Sequence, residues 1–373
     1  MNSGYQIPTL PLAHDLETRA TLRQATKTSR ALAELKGLAS TIPNEQILIS
    51  TLTLQEAKES SEVENIVTTQ DDLYHADLQL PHHFVSIATK EVLNYREAIQ
   101  YGFNLIKEDK ILSTNKIKAV QQVLVDNKAG FRSVPGTQLK DQRGAVIYTP
   151  PQDATDIERL MGNLEAFIND ESLSDCDPLI KMAIIHHQFE SIHPFFDGNG
   201  RTGRIINILY LVINGLLDLP ILYLSRFITR NKTDYYRLIQ SIRDNAPDNH
   251  REWEAWVLFM LTGIEETAHE TIHLVEGIGR LMQEFKTRLK PIFGKQYRHE
   301  LLNNLFFHPY TKIDFLARDL SIQRKTATKY LDRIVEEGLL RKVKIWRENY
   351  YINIPLVDLF VNHSSDFPVI TSC

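Results

Sequence analysis

Residues 193–204 combine, within twelve positions, groups suited to acid–base chemistry and to anion binding. They read His193, Pro194, Phe195, Phe196, Asp197, Gly198, Asn199, Gly200, Arg201, Thr202, Gly203 and Arg204. His193 is the one side chain here whose unperturbed pKa lies near neutrality, so it is the natural general base. Gly198 and Gly200 flank Asn199, and such a sequence lets the backbone turn tightly and expose its amide groups.

The apolar run Ile205–Leu217 predicts a helix that begins near Asn199 or Gly200. Its N-terminus adds unpaired N–H donors and a positive dipole end, which suit a phosphate. Arg201 and Arg204 lie one turn apart and can clamp phosphate oxygens. Asp197 is placed to hold a Mg²⁺ ion that bridges phosphates. Each feature alone is common in packing residues, turns and solvated helix faces, and their combination favours a site.

Composition is that of an ordinary globular protein. The 373 residues are 43% hydrophobic and 24% charged, which predicts two or three domains with sizeable cores. The net charge of −5 argues against nucleic-acid binding by the chain as a whole. The two cysteines form no metal or disulfide pattern, and no signal peptide or membrane-spanning run is evident, so we expect a cytoplasmic protein without a membrane partner.

Helical periodicity covers most of the chain, so the sequence predicts a mainly α fold. The helix predicted over 48–65 ends in the poor helix formers Ser60, Ser61 and Asn65, and taken alone this end reads as frayed and solvated. A later helix, with Thr233 as its expected N-cap, carries Tyr235 and Tyr236. Adjacent tyrosines point to different sides, so both are core or rim residues, or one stacks on a flat ligand.

Residues 130–151 change character. Two β-prone segments flank a polar middle, residues 140–144, and predict a hairpin over 131–148 that Pro150 and Pro151 end. A lone hairpin in a helical protein exposes its strand edges. Either another segment covers the edge, which the residues alone favour, or the edge docks an extended peptide.

The C-terminal part is basic. Residues 296–351 hold 11 Lys+Arg and 7 Asp+Glu, a net +4 that leaves −9 for the rest of the chain. The predicted order is helix, helix, turn at Ser321, helix, Gly338 and two strands, which is typical of a winged helix-turn-helix. The third helix presents side chains suited to phosphates and base edges, namely Arg324, Lys325, Thr328, Lys329 and Arg333. Many winged helices bind protein or only pack, so DNA binding stays open.

The stretch 193–204 resembles the full signature of the Fic (Fic/Doc) family, His-x-Phe-x-Asp-Gly-Asn-Gly-Arg-x-x-Arg, at every fixed position. The resemblance extends over roughly residues 45–260. It implies a Fic-fold helical core with a β-hairpin flap, followed here by the small winged helix-turn-helix domain. The domains expected are an N-terminal helical region (1–110) with an inhibitory helix (about 48–65), a catalytic core (111–290) and the winged helix (291–373).

The resemblance implies transfer of AMP from ATP to a Ser, Thr or Tyr hydroxyl of a target protein. His193 would deprotonate the hydroxyl, and Asp197 would hold Mg²⁺ between the α- and β-phosphates. Gly198, Asn199 and Gly200 would cradle the phosphates, Arg201 would contact the phosphate tail, and Arg204 the γ-phosphate. The hairpin becomes a flap that clamps the target's main chain. The nucleotide would be bordered by Val146, Ile147, Tyr148, Tyr235 and Tyr236.

Ser60, Glu64 and Asn65 are similar to the family's inhibitory motif, Ser/Thr-x-x-x-Glu-Gly/Asn. Glu64 would then lie at the ATP site and pair with Arg204, which takes the arginine from the γ-phosphate. In some relatives the same glutamate supports removal of AMP, and that activity stays open. The alternatives are transfer of another phosphate-containing group and a transcription regulator with a Fic-like nucleotide-sensing domain. DNA and a second copy of the chain are further candidate partners.

Overall fold

The computed structural model of the protein describes residues 5–69, 72–73, 76, 85–141, 143–345 and 348–363. Gln142 of the predicted hairpin, Trp346 and Cys373 lie outside these residues. Two compact units make up the chain. The first consists of Met1–Lys36, Leu52–Thr68 and Ser86–His269, and the second of Gly37–Thr51, Thr69–Val85 and Glu270–Cys373. The domain boundaries expected from the sequence stay a prediction.

The fold is mainly α, as predicted. The described helices are, in order, α1 Arg19–Ala39, α2 Glu45–Val63, α3 Ile87–Ile106, α4 Thr114–Val125, α5 Ala154–Asn169, α6 Pro178–Ile192, α7 Asn199–Ile213, α8 Ser225–Arg230, α9 Lys232–Asp244, α10 His250–Phe293, α11 His299–Phe307, α12 Ile313–Leu320, α13 Arg324–Glu336 and α14 Ile354–His363. The strands are β1 Leu139–Lys140, β2 Val146–Tyr148, β3 Tyr310–Lys312, β4 Arg341–Ile345 and β5 Glu348–Ile352.

Helices α6 and α7 form the centre of the first unit. Nearly every residue of both is buried, polar ones included, so neither has the one-sided pattern of a surface helix. Asp177 caps α6 by accepting a hydrogen bond from the Leu179 amide at 2.8 Å. On α10, Trp256 is fully buried and donates its indole N–H to the Ala183 carbonyl at 2.8 Å. These contacts hold α6 in the core of the first unit, and the loop 193–198 joins its C-terminal end to α7.

The hairpin is shorter than the predicted span 131–148. β1 and β2 pair antiparallel, with Leu139 opposite Tyr148 and Lys140 opposite Val146. The turn closes on Asp141, whose side chain accepts the Ala145 amide hydrogen at 2.8 Å. Residues 130–138 form no strand, because Pro135 cannot donate to a ladder and Gly136 has a φ of 118°.

Two helix boundaries differ from the sequence expectation. Thr233 does not cap α9, because the helix begins one residue earlier, at Lys232, with Asn231 at the N-cap position. The sequence pattern predicts a long helical segment over 253–289, and α10 extends beyond it at both ends, from His250 to Phe293, with Pro291 inside its last turn. A proline there removes one hydrogen bond near the helix end, so it does not stop the helix before Gly294.

In the second unit, α11, α12 and α13 are combined with a three-stranded antiparallel sheet of order β3-β5-β4. Ser321, with a left-handed φ of 53°, turns the chain between α12 and α13. Gly338, with a φ of 70°, begins the connection from α13 to β4. The element order is therefore the one read from the sequence, with β3 added. Among the described helices, none has the length and apolar character needed to cross a membrane.

Candidate active site

The loop 193–198 joins α6 to α7 through two left-handed residues. His193 ends α6 with a φ of 48°, and its amide donates to the Phe189 carbonyl at 2.9 Å. Gly198 precedes α7 with a φ of 76°, and a Cβ there would lie 2.9 Å from Val125. Glycine meets both the conformation and the close approach.

Side chains from the loop's surroundings hold its backbone. Asn199 donates to the Phe195 carbonyl and accepts from the Phe195 amide, both at 2.8 Å. Gln121 on α4 donates to the Asp197 carbonyl at 3.1 Å. Arg132 binds the carbonyls at the His193 end of the loop. Asn199 therefore supports the loop through its side chain, in addition to any backbone contact it makes with a phosphate.

His193 is a neutral base at physiological pH. Burial, together with the positive charges of Arg132 and Arg243, lowers the pKa of its imidazole to about 4. An imidazole with such a pKa is unprotonated near pH 7 and can accept a proton.

The N-terminus of α7 provides an anion-binding nest. In the described part of the chain no side chain caps this helix end, so its first-turn N–H groups remain available to bind an anion. The Oε1 atom of Glu64 lies only 2.3 Å from the point where a Cβ on Gly200 would stand. The Glu64 carboxylate thus lies directly against the Gly200 backbone, where an anion bound to the nest would lie.

Arg204 is buried and fully engaged by the end of α2. Its side chain is 1% exposed, and Nη2 lies 2.9 Å from Glu64 Oε1. It also donates from Nε to Ser60 Oγ at 2.8 Å and from Nη2 to the Ser60 carbonyl at 2.9 Å. Ser60 and Ser61 are completely buried, so the frayed, solvated helix end favoured by the residues alone is wrong. Ser60 is in the core because it supplies two acceptors to Arg204.

Asn65 is the last residue of the motif that begins at Ser60. It follows α2 with a left-handed φ of 62°, a conformation that asparagine tolerates better than most residues. Its side-chain oxygen accepts a hydrogen bond from Lys232 Nζ at 2.9 Å. Ser60, Glu64 and Asn65, which the resemblance grouped as an inhibitory motif, therefore all contact the region around α7 and α9.

Arg201 is held by a second carboxylate. Its side chain is 4% exposed, and Nη1 lies 2.8 Å from Oε2 of Glu91 on α3. Nη2 lies 3.8 Å from Asp197 Oδ1. Both arginines of the motif are thus oriented before any phosphate contact, each by a glutamate from outside residues 193–204.

Asp197 fits a magnesium ion that phosphates help to bind. Its side chain is 76% exposed, and Oδ1 accepts the Gly198 amide hydrogen at 2.6 Å, beside the nest. Among the described residues no group of three or more His, Cys, Asp or Glu side chains could hold a metal by itself. Because Mg²⁺ is commonly bound by one or two carboxylates together with substrate phosphates and water, one exposed carboxylate at a phosphate site is a suitable donor set.

The residues expected to border the nucleotide divide into two groups. Val146, Ile147 and Tyr236 are exposed at 44%, 41% and 43%. Tyr148 and Tyr235 are buried, and their place beside the nucleotide stays a prediction. The Tyr148 hydroxyl donates to the Ser191 carbonyl at 2.8 Å, and the Tyr235 hydroxyl lies 2.7 Å from His186 Nε2. Both hydrogen-bond partners belong to α6, so these two tyrosines are held against that helix.

Several residues around the site carry no sequence signal that marks them. They are Glu91, Gln121, Arg132, Glu190 and Arg243. Glu91, Gln121, Arg132 and Arg243 each contact a residue more than fifty positions away, so spacing gives no hint of these contacts. Burial raises the pKa of Glu190 to about 7, although the positive charge of Arg204 lowers it.

Taken together, the fold and site define a helical protein with a buried, neutral histidine beside a helix N-terminus that has no side-chain cap among the described residues. Three family models match in succession: Fic/DOC family N-terminal at residues 22–104, Fic/DOC family at 111–211, and protein adenylyltransferase SoFic-like, C-terminal domain, at 281–356. Together they cover most of the chain, and the protein belongs to the Fic/DOC family.

Relatives and solved structures agree with this assignment. A probable protein adenylyltransferase from Aquifex aeolicus is 27% identical, over 62% of this chain and 64% of its own length. Protein adenylyltransferase fic-1 from Caenorhabditis briggsae is 37% identical, over 18% and 13%. The match therefore spans less than two thirds of these relatives. A Fic family protein from Desulfovibrio desulfuricans shares the fold with a TM-score of 0.58 and 19% identity, over 93% of this chain and 98% of that one.

Proposed function

We propose that the protein is a protein adenylyltransferase that transfers AMP from ATP to a Ser, Thr or Tyr hydroxyl of a target protein. The observation that carries the proposal is a neutral His193 beside the N-terminus of α7. At this helix end a carboxylate already lies where an anion would bind, and both arginines are already held in place. The names of the similar proteins support the same activity.

The reaction follows from the positions of these groups. His193 accepts the proton of the target hydroxyl as its oxygen bonds to the α-phosphorus of ATP. The bond between that phosphorus and the bridging oxygen breaks, and pyrophosphate leaves with the electron pair. The N–H groups at the start of α7 stabilise the charge that develops on the phosphate, and Arg201 orients the phosphate tail. Asp197 would hold Mg²⁺, which when bound neutralises phosphate charge.

The hairpin has the exposure needed to present the target. Val146 and Ile147 of β2 are exposed, and Gln240 on α9 donates to the Ile147 carbonyl at 3.1 Å. An extended target segment that pairs with the hairpin edge would bring its hydroxyl toward His193. Tyr236 would stack on the adenine, since it is the exposed ring of the tyrosine pair.

We further propose that Glu64 inhibits the protein. Its carboxylate pairs with Arg204, the expected partner of the γ-phosphate, and lies against Gly200, so it would compete with the phosphates of ATP for these contacts. ATP then binds without its γ-phosphate held, and its α-phosphate is not aligned for attack.

The transferred group is tested with ATP labelled on the α- or the γ-phosphate, using Glu64→Gly protein and a cell lysate. Protein bands labelled only by α-labelled ATP, and absent with the added change His193→Ala, are the expected result. Label from γ-labelled ATP would favour transfer of another phosphate-containing group. No label from either would favour a nucleotide sensor. The cysteine pattern suits a cytoplasmic location for this reaction.

A second candidate function is DNA binding by a winged helix formed by α11–α13 and β3–β5. Lys325, Lys329 and Arg333 follow one another at four-residue spacing along α13 and are exposed. Among the described residues, Lys325 and Lys329 have no ion-pair partner, whereas Arg324 is paired with Asp314. A helix with such a basic stripe is suited to phosphate contacts.

DNA binding is tested by fluorescence anisotropy with labelled, mixed-sequence duplexes of genomic DNA. We expect the affinity to fall with salt, and Lys325→Ala with Lys329→Ala to reduce the slope of log affinity against log salt by about 2. Lys27→Ala, an exposed lysine of α1, is the matched control. Affinity unchanged by the double substitution would exclude this surface.

A further inference from the structure

Arg132 binds three consecutive residues around the proposed base. Its Nε donates to the His193 carbonyl at 2.8 Å, and Nη2 donates to the Ile192 carbonyl at 3.3 Å. Its own backbone amide donates to the Pro194 carbonyl at 2.8 Å. Arg132 is 1% exposed, although it lies in a segment without regular secondary structure. A buried arginine that makes three contacts to one turn has a specific task there.

The turn needs such support. His193 has a φ of 48°, which costs free energy for a residue other than glycine. The carbonyls at the end of α6 also lack helical partners. The planar guanidinium has several N–H donors in fixed directions, so it can hold two carbonyls at once, whereas a lysine ammonium acts as a point charge.

We propose that Arg132 is the positioning residue of the general base: by holding the carbonyls of Ile192 and His193 it fixes the left-handed turn that aims the His193 ring. The inference rests on the proposed role of His193. It assigns to Arg132 no contact with ATP or with the target, and its effect on the reaction passes through the orientation and charge state of His193.

The charges around His193 fit this role. The groups that influence the imidazole are Arg132, Arg243 on α9, and Glu64 after α2. The two arginines lower the pKa of His193 and Glu64 raises it, while burial has the largest effect. Arg132 therefore also helps to keep the base unprotonated, and loss of its charge should move the pKa of His193 upward.

Two substitutions separate geometry from charge, both made in full-length Glu64→Gly protein. Arg132→Lys keeps the charge but cannot hold both carbonyls, so we expect kcat for AMP transfer to fall at least about tenfold with an unchanged acid limb of the pH profile. Arg132→Met also removes the charge, so its acid limb should move to higher pH. KM for ATP should change less than twofold in both. Arg159→Lys, a change on the surface of α5, is the control and should leave kcat and the pH profile unchanged.

NMR of histidine-labelled protein makes the test independent of activity. The His193 ring signal, identified by its loss in His193→Gln, is followed from pH 8 to pH 3.5, a range that includes the His193 pKa of about 4. We expect it to begin titrating at higher pH in Arg132→Met than in Arg132→Lys, even if the parent transfers no AMP and the proposed function fails. The proposal is overturned if both variants keep kcat within twofold of the parent, or if the His193 signal titrates alike in the two variants.

Discussion

Substitution of Glu64 by glycine is the sharpest perturbation of the site. The change removes the carboxylate that lies 2.9 Å from Arg204 Nη2 and against Gly200. It leaves the Ser60 contacts of Arg204 in place, so the guanidinium stays near the nest. We expect Arg204 then to bind the γ-phosphate, and the rate of AMP transfer to rise.

The expected size follows from the ion pair. A hydrogen bond to a charged group contributes about 1.5–3 kcal/mol. Glu64 is 34% exposed, so solvent screening reduces its contribution to about 1–2 kcal/mol. At about 1.4 kcal/mol for each factor of ten, release of the pair should raise kcat/KM for ATP roughly five- to thirtyfold. Removal of the carboxylate from the space above Gly200 adds to this, so the range is a lower limit.

The assay is the initial rate of AMP incorporation from α-labelled ATP over a range of ATP concentrations. Glu62→Gly is the matched control, because it removes the same charge and introduces the same residue two positions earlier, at the end of α2. Glu64→Gln should give an intermediate rate, since the amide can still accept from Arg204 without its charge.

Thermal unfolding gives a second readout of the same change. Without ATP, Glu64→Gly leaves a buried guanidinium without its carboxylate, so its midpoint should fall below that of the wild type. Addition of ATP should raise the unfolding midpoint of the variant by more than that of the wild type, because ATP binds the folded state of the variant more tightly. The reasoning is refuted if Glu64→Gly transfers AMP no faster than wild type, or if Glu62→Gly accelerates transfer equally.

Three further predictions concern the base, the second arginine and the exposed tyrosine. The pKa of His193 is lowered to about 4 with Glu64 present, and Glu64→Gly removes a carboxylate that raises this pKa, so AMP transfer by Glu64→Gly protein should be nearly constant from pH 6 to 8 and fall only below about pH 4. A half-maximal rate near pH 6.5 would contradict this. Glu91→Gln should raise KM for ATP by roughly tenfold, as Arg201 loses a charge-assisted contact of about 1.5 kcal/mol, and an unchanged KM would remove Glu91 from the site. Tyr236→Ala should also raise KM for ATP with little change in kcat, measured with the same assay, and equal KM values would exclude stacking there.

The sequence predicted the site loop and missed what holds it. The function of residues 193–204 can be predicted from the sequence, because a turn, a helix start and nearby side chains depend on positions a few residues apart. Arg132 and Gln121 reach this loop from positions more than sixty residues earlier. No periodicity connects a polar side chain with a backbone carbonyl so distant, so such contacts become visible only in the folded chain.

Burial explains the other differences. Ser60 and Ser61 read as a solvated helix end because serine is a poor helix former, yet both are completely buried. Arg204, a cation in the core that needs oxygen acceptors, explains the burial of Ser60, whose hydroxyl and carbonyl accept from it. Tyr148 and Tyr235 have aromatic rings that could stack on a ligand. Their hydroxyl groups instead form hydrogen bonds with residues of α6, and their rings are buried. The sequence alone therefore predicts that such polar residues are exposed, and the buried group that each one contacts is seen only in the structure.

The contacts around the loop also explain why control by competition suits this site. The chain itself fixes the turn at His193, the amides of α7 and both arginines through hydrogen bonds and ion pairs. A site assembled in this way does not depend on ATP to order it, so its activity is poorly controlled by folding or unfolding of the loop. A carboxylate that takes the place of one phosphate group can stop alignment of ATP and leave the rest of the site intact. If Glu64 inhibits as proposed, its carboxylate acts in this way from the end of α2, so a movement of the end of α2 would control the reaction.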